Sequence, residues 1–519
     1  MNRSLAVGAL LLSALVGICT SPPAVAQKTV QKSLGLFVEH GDVGTTALPG
    51  SIAYDPATKS YRMTASGANI WGEADAFHYA WTRRSGDLHI AADIAFEGKG
   101  VDLHRKAGVM IRQSTKPGSP YADVMVHGDG LIAMQYREVE GGPTRQIISS
   151  LKASKARVRL EREGDYVWFS VAEAGKPLQR AGGSFRIPFQ MPYLVGPALS
   201  SHNETVSETA VFSNVSLSVP KLSTISDTGY PAKVEATLEV MEVGDVQSRR
   251  VVRHFPGKIE APNWTPDGAS LIYNADGKIW RIAVEGGAPI QVDTGRKLKN
   301  NNDHGISPDG KQLVISDQSE PDDFSRIYTL PLAGSDQPLL RVGHLDARSY
   351  WHGWSPDGKT LAYVYVHATN GTYDIRGRDL ATGKDRVLVA GPGTNDGPEW
   401  SPDGKSLWYN STRSGAMQIW RATADGSDPV QVTKDPNFRD WFPHISPDGK
   451  WVAFISFGLD IAVGDHPPNR DVVLRIMPAD GSAPPRVLTR LFGGQGTINV
   501  PSWSPDSKQI AFVSYRLMR

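Results

Sequence analysis

Histidines and carboxylates stand at matching places around a repeated motif in this 519-residue chain. The motif occurs six times, as "WTPDG" at 264, "ISPDG" at 306, "WSPDG" at 354 and 400, "ISPDG" at 445 and "WSPDS" at 503. Aligned on the Trp or Ile that opens each copy, the residues two positions earlier are Pro262, His304, His352, Pro398, Pro443 and Pro501. One position earlier stand Asn263, Gly305, Gly353, Glu399, His444 and Ser502; four positions earlier stand Glu260, Asn302, Tyr350, Asp396, Trp441 and Asn499. Imidazoles and carboxylates brought together from rigid elements are what a divalent metal site or an acid–base pair requires.

The elements that must position them follow from the repeat. The aspartates of the six copies are separated by 42, 48, 46, 45 and 58 residues, which is the signature of a repeat architecture. Ser401-Pro402-Asp403-Gly404 carries type I turn preferences, with Pro where φ is pre-set and Gly at the end. Around it, the residues up to Trp400, then Ser406–Asn410, Met417–Ala422 and Pro429–Thr433 read as four short strands separated by turns. Four antiparallel strands per 45 or so residues make one propeller blade. The last copy supplies only two strands, and "VEATLEV" from Val234 with "SRRVVRHF" from Ser248 offer two spare ones. These would complete the last blade, giving six blades and removing an exposed sheet edge.

In such a ring, equivalent positions from different blades lie at similar height around the central channel. His304, His352 and His444 would then converge at one mouth as ligands of a divalent metal ion, with Asp303, Asp396, Glu399 and Asp440 nearby. In an acid–base reading, His352 or His444 is the base or ligand, and Glu399 or Asp396 the acid or supporting carboxylate. Asn302, Asp303 and Asn499 would hydrogen-bond a substrate, and Tyr350, Trp351, Trp441 and Phe442 offer faces for a sugar ring. Hydrogen-bonded ties between blades are the alternative for the same residues, and Gly305 or Gly353 would then serve close backbone approach. Histidine in place of proline in only two copies favours function over a generic tie.

The x-x-P-x-W-S-P-D-G-K pattern, followed by an apolar strand and a D-G turn, resembles the repeat of TolB-like six-bladed propellers. The resemblance runs from Val234 to Arg519 and implies the fold; "FGGQGTINVPSWSPDS" and "DWFPHISPDGK" resemble a secreted TolB-related subgroup. The same repeat serves transport-complex partners, peptidase side domains and lyases.

From Gln27 to Val219 the pattern changes. "GDLHIAADIAFEG" at Gly86, "KAGVMIRQS" at Lys106, "YADVMVHGDG" at Tyr121 and "ARVRLEREGDYVWFSVAEAGK" at Ala156 alternate apolar and polar residues between turn signals, the pattern of an antiparallel sandwich with one solvated face per sheet. Gly86–Ala92, Ala107–Arg112 and Ser200–Asn203 resemble a concanavalin-like jelly-roll family of unknown function, a fold associated with carbohydrate. The expected fold class is all-β: a concanavalin-like sandwich over 27–219, a linker over 220–233 and a six-bladed TolB-like propeller over 234–519. His89 and His104 read as isolated surface residues, and Trp71, His78, Tyr79 and Trp81 as strand packing. The insertion Gly458–Val472 lengthens the fifth repeat and reads as a loop that covers a site, with Gly493-Gly494-Gln495-Gly496 flexible enough to line one.

Residues 1–26 read as a secretory signal: Arg3, an apolar run from Leu5 to Ile18, and Ala24-Val25-Ala26 before Gln27. Cleavage there removes Cys19, the only cysteine, and with it any disulfide or thiolate site. Val16-Gly17-Ile18-Cys19 only faintly matches a lipoprotein box, Ile18 standing where a small residue is expected. The expected product is a periplasmic or secreted monomer without a transmembrane segment. A formal net charge of +1 with 21% charged residues gives no nucleic-acid footprint. No Gly-rich loop is followed by Lys-Ser/Thr and no G-x-S-x-G elbow occurs, which removes P-loop and α/β-hydrolase chemistry.

Three functions fit: binding of a glycan or an envelope protein at the channel mouth; a carbohydrate-active enzyme, lyase or glycosidase, at the same place; or a Tol-Pal component. Propeller lyases acting on oligogalacturonate resemble this architecture and hold a metal with histidines, but "NVPSWSPDS" lacks their clustered His-x-His. A TolB carries a small α/β domain ahead of its propeller, and this chain shows none.

Overall fold

A computed structural model describes residues 33–220 and 233–518; the expected signal segment and most of the expected linker lie outside the described residues. Every regular element among the described residues is a strand, and none is a helix long and apolar enough to cross a membrane. Contacts gather Leu34–Arg519 into one unit.

Two antiparallel sheets make up the first part. In one, Leu88–Glu97 lies between Lys155–Glu163 and Asn203–Ser218; in the other, Lys106–Arg112 lies between Tyr193–Ser200 and Tyr121–His127. Alternate residues point inward, so Ile90, Val158, Leu160 and Phe212 of the first meet Val109, Ile111, Val124 and Met134 of the second in one core. The second sheet departs from the expected solvated outer face, since Lys106–Arg112, Tyr121–His127 and Ile132–Arg137 are buried throughout. The reason is charge pairing under a covering loop: Asp75 accepts hydrogen bonds from Arg112 and Arg137, each at 2.7 Å, and all three side chains are fully buried.

The repeats fold as expected locally. In all six, the Ser or Thr hydroxyl donates to the motif aspartate, from Thr265 to Asp267 at 2.5 Å through Ser504 to Asp506 at 2.6 Å. The residue closing each turn has positive φ, and the last copy puts Ser507 there at 63° where the others use Gly. Five four-stranded blades stand as separate sheets, opening on Glu260–Trp264, Asn300–Ile306, Ala347–Trp354, Asn395–Trp400 and Arg439–Ile445.

A sixth separate sheet, expected from the repeat count, is not formed. The last copy's Gln509–Leu517 pairs with Val234–Glu242, which pairs with Asp245–Phe255, the strands read as spare. That ribbon continues through a parallel bridge between Arg250 and Ile148 into the ten-stranded sheet of the first part. The junction is dry and charged: the Arg249 guanidinium donates to both Glu239 oxygens at 2.7 and 2.9 Å, to Thr489 at 2.9 Å and to the Ser184 carbonyl at 3.3 Å. A Cβ on Gly183 would stand 2.1 Å from Glu239 Oε1, so only glycine lets the two parts approach this closely.

Candidate functional site

The strand that opens each of the five blades carries a register break just before its turn motif, between Glu260 and Asn263, Asn300 and His304, Trp351 and Gly353, Asp396 and Glu399, and Trp441 and His444. A bulge adds a residue to one strand and resets which side chains face which way. Its backbone mark is a left-handed residue three positions before the motif, at Ala261 (φ 58°), Gly397 (59°) and Phe442 (54°). The breaks put Asn302, Asp303, His352, Asp396 and Phe442, which stand at or within them, on a cavity of about 260 Å³, and turn Asn263, Gly353 and Glu399 after them away from it.

Asn302, Tyr350, Asp396 and Asn499, all four positions before their motifs, line this cavity with Asp303, His352 and Phe442. His352 Nε2 stands 3.2 Å from Asp396 Oδ1 and 3.9 Å from Asp303 Oδ1. Asn499 donates to Asp303 at 2.6 Å, and the Gly397 N–H donates to Asp396 at 2.6 Å. The Phe442 ring lies nearly parallel to the His352 imidazole, 6.0 Å away. A non-glycine residue in left-handed conformation costs of order 1–3 kcal/mol and is held there by its surroundings.

Electrostatics separate the two carboxylates. Burial raises the Asp303 pKa to about 7; His352 opposes this, and the Asp396 and Glu260 charges reinforce it. Burial also disfavours ionised Asp396, but the His352 hydrogen bond and charge outweigh it and hold its pKa below the ordinary range. Burial works against the His352 cation, and the hydrogen bond to Asp396 with the Asp303 charge overcomes it, keeping that pKa above the usual value.

Other expected site residues go elsewhere. His444 Nδ1 bonds Glu399 at 2.8 Å and its Nε2 bonds the Ile498 carbonyl at 2.5 Å, so this pair ties blades together. Glu399 faces a second cavity of about 430 Å³ beside the turn prolines, as does Trp351, whose ring fills the space that a Cβ on Gly305 would need. His304 is fully buried against the Ala261 and Ile272 backbone, and burial lowers its pKa to about 4. His304, His352 and His444 are therefore not assembled as one ligand set; among the described residues no group of three or more His, Cys, Asp or Glu is placed to hold a metal ion. Asp440 is committed to Arg475 at 2.6 Å, and Trp441 backs the cavity with its ring tilted against that of His466, centroids 4.3 Å apart.

Gln495 lines the cavity, in the run read as flexible enough to line a site, while sequence reasoning missed His466, Asn301, Gln318, Val364 and Tyr373. His466 had a signal, since it sits in the insertion read as covering a site. The others lie outside the aligned positions, Asn301, Gln318 and Tyr373 at or next to strand ends and Val364 within a strand.

The TolB β-propeller domain family matches residues 350–466. An uncharacterized protein of Agrobacterium fabrum is 43% identical over 295 residues, 57% of this chain and 97% of that protein. The chain belongs to the TolB-like β-propeller family. A solved structure from Agrobacterium tumefaciens, assigned as a TolB, aligns over 55% of this chain and 99% of its own with 43% identity and a TM-score of 0.52. The Tol-Pal system protein TolB of Francisella tularensis is 23% identical over 220 residues, and this TolB-like chain spans about half of it, 47%.

Proposed function

We propose that this TolB-like propeller is an exported binding protein that takes a glycan, or a polar group of an envelope partner, into the cavity around His352. The observation that carries this reading is the lining itself: carboxamides, two tyrosine hydroxyls and a carboxylate–imidazole pair converge beside the flat face of Phe442. Such a cavity offers hydrogen bonds of both kinds around an apolar face, the requirement for holding a hydroxylated ring. The reading includes a secretory segment over 1–26, a concanavalin-like sandwich over 27–219, and a sixth blade made of Gln509–Leu517 with the strands from Val234 to Phe255. Localisation is then periplasmic or secreted, and the protein monomeric.

A second reading is a carbohydrate-active enzyme at the same cavity. It is favoured by Asp303 and Asp396, whose pKa values are driven in opposite directions, as an acid and a charged partner require. His352 would hold Asp396 ionised while Asp303 keeps a proton to give. Membership of a Tol-Pal complex is the third reading; its support is the Francisella relative, and no helical domain stands ahead of the propeller among the described residues.

The test incubates the chain from Gln27 onward with plant and microbial polysaccharides, with and without divalent metal, and follows retention and new products by mass spectrometry. Retention lost in His352→Ala supports binding at this cavity, and products lost in the same variant support the enzyme reading. If a glycan is retained equally by His352→Ala, the cavity is not where it binds.

A further inference from the structure

The charges of the cavity wall say which sugars it takes. Five of its residues are carboxamides, Asn301, Asn302, Gln318, Gln495 and Asn499, each offering a donor and an acceptor. Two more, Asp303 and Asp396, are carboxylates, and none is lysine or arginine. The guanidinium of Arg348, on an exposed side chain over the Phe324 ring, reaches Tyr350 from outside and stands at the rim of the cavity, not in its wall. The one cation within the wall, His352, is already shared by Asp396 and Asp303. Lys258, next to Glu260 at the same level of the first blade, is bound to that carboxylate at 2.6 Å.

Resting on the glycan reading above, we infer that the cavity selects a terminal sugar ring bearing no carboxylate or phosphate. A uronate would bring its charge against Asp396 with no guanidinium or ammonium to receive it, a like-charge contact in a partly dry site. Carboxylate recognition is ordinarily the work of arginine forks, and the wall has none. Neutral hydroxyls and amides instead find both donors and acceptors among the carboxamides, Tyr350 and Tyr373. At about 260 Å³ the space lies at the lower limit of small-molecule sites, which suits one ring at the end of a chain and not the middle of a polymer. His466, carried in by the insertion, and Gln495 add to the wall around this space.

The test compares matched pairs that differ only in the charge of the terminal unit: galactose- against galacturonate-ended and glucose- against glucuronate-ended oligosaccharides, measured by calorimetry on the full chain. The neutral member of a pair should bind at least about tenfold more tightly. Gln318→Lys places an ammonium on a half-buried lining position and should narrow or reverse that ratio, with circular dichroism confirming the fold. A uronate bound as tightly as its neutral partner by the unaltered chain overturns the inference while leaving glycan binding intact. Failure of every member to bind removes the glycan reading and the inference with it.

Discussion

His352 Nε2 lies 3.2 Å from Asp396 Oδ1, joining the third blade to the fourth, and the same nitrogen lies 3.9 Å from Asp303 of the second. One imidazole thus mediates between two carboxylates that would otherwise repel each other in a buried space. The Asp396 hydrogen bond and charge, with the Asp303 charge, overcome burial and keep the His352 pKa high. Asp396→Asn removes the hydrogen-bonded charge, leaving burial opposed only by the charges of Asp303 and Glu399. The His352 resonance in a proton NMR titration should then move to lower pH than in the unaltered chain, below the ordinary histidine value of about 6.5. A titration that stays put would mean that Asp396 does not set the charge on this ring.

Asp303 gives stability a pH dependence. Its carboxyl carries a proton up to about pH 7 when folded, against about pH 4 for an exposed aspartate. The folded state therefore binds more protons in that window, and its stability falls as pH rises from about 4 through 7. His352, also held above its ordinary value, adds a loss in the same direction above about pH 6.5. Asp303→Asn should remove the Asp303 share, gaining of order 2–4 kcal/mol relative to the unaltered chain at pH 8 and little at pH 4. Urea unfolding at the two pH values checks it; equal differences at both would show that Asp303 ionises in the fold as easily as in solution.

What was legible in the sequence was whatever is decided locally. Ser-Pro-Asp-Gly makes its turn through contacts two to five residues apart, so Ser307 with Asp309 and Ser401 with Asp403 form as their neighbours dictate. Asn302, Tyr350, Asp396 and Asn499 were placed together by alignment alone because they hold one position in the repeat, although Glu260 and Trp441 at that same position do not line the cavity. The bulge itself has no composition signal at most copies: Gly397 suggests a left-handed residue, while Ala261 and Phe442 adopt that conformation under tertiary constraint. It turns Glu399 and His444 out of the cavity, which no counting of positions reveals. His466 depends on how a long insertion packs, and the fusion of the last ribbon with the other sheet depends on a bridge between residues a hundred positions apart, Ile148 and Arg250.

His444 and Glu399 separate stability from ligand handling. His444 reaches Glu399 on the blade before it and the Ile498 carbonyl beyond its own, and its own carbonyl receives the Trp503 indole N–H at 2.9 Å. His444→Ala leaves the buried Ile498 carbonyl without this partner and the half-buried Glu399 carboxylate with only the Ile445 N–H, a loss of about 1–3 kcal/mol. Because neither residue lines the His352 cavity, glycan affinity of the folded variant should stay within about threefold, less than 1 kcal/mol. Denaturant unfolding and calorimetry on the same preparation check both halves. A large drop in affinity with unchanged stability would put His444 back among the ligand-contacting residues.

Arg249 and Glu239 test whether the junction is held by charge or by shape. Both side chains are fully buried, and the guanidinium also serves Thr489 and the Ser184 carbonyl, so its removal strands Glu239 without a counter-charge. Arg249→Ala should cost about 3–5 kcal/mol. Replacing both, as Arg249→Met with Glu239→Leu, removes the two desolvated charges together and should recover most of that loss, since the pair's attraction roughly repays its own dehydration. Ser514, which donates to Glu239 at 2.5 Å, limits the recovery because its hydroxyl loses its acceptor. Urea midpoints for the single and double variants decide between the two accounts. A double variant as unstable as the single one would mean that the hydrogen bonds to Thr489 and Ser184, rather than the charge pair, hold the propeller to the sheets before it.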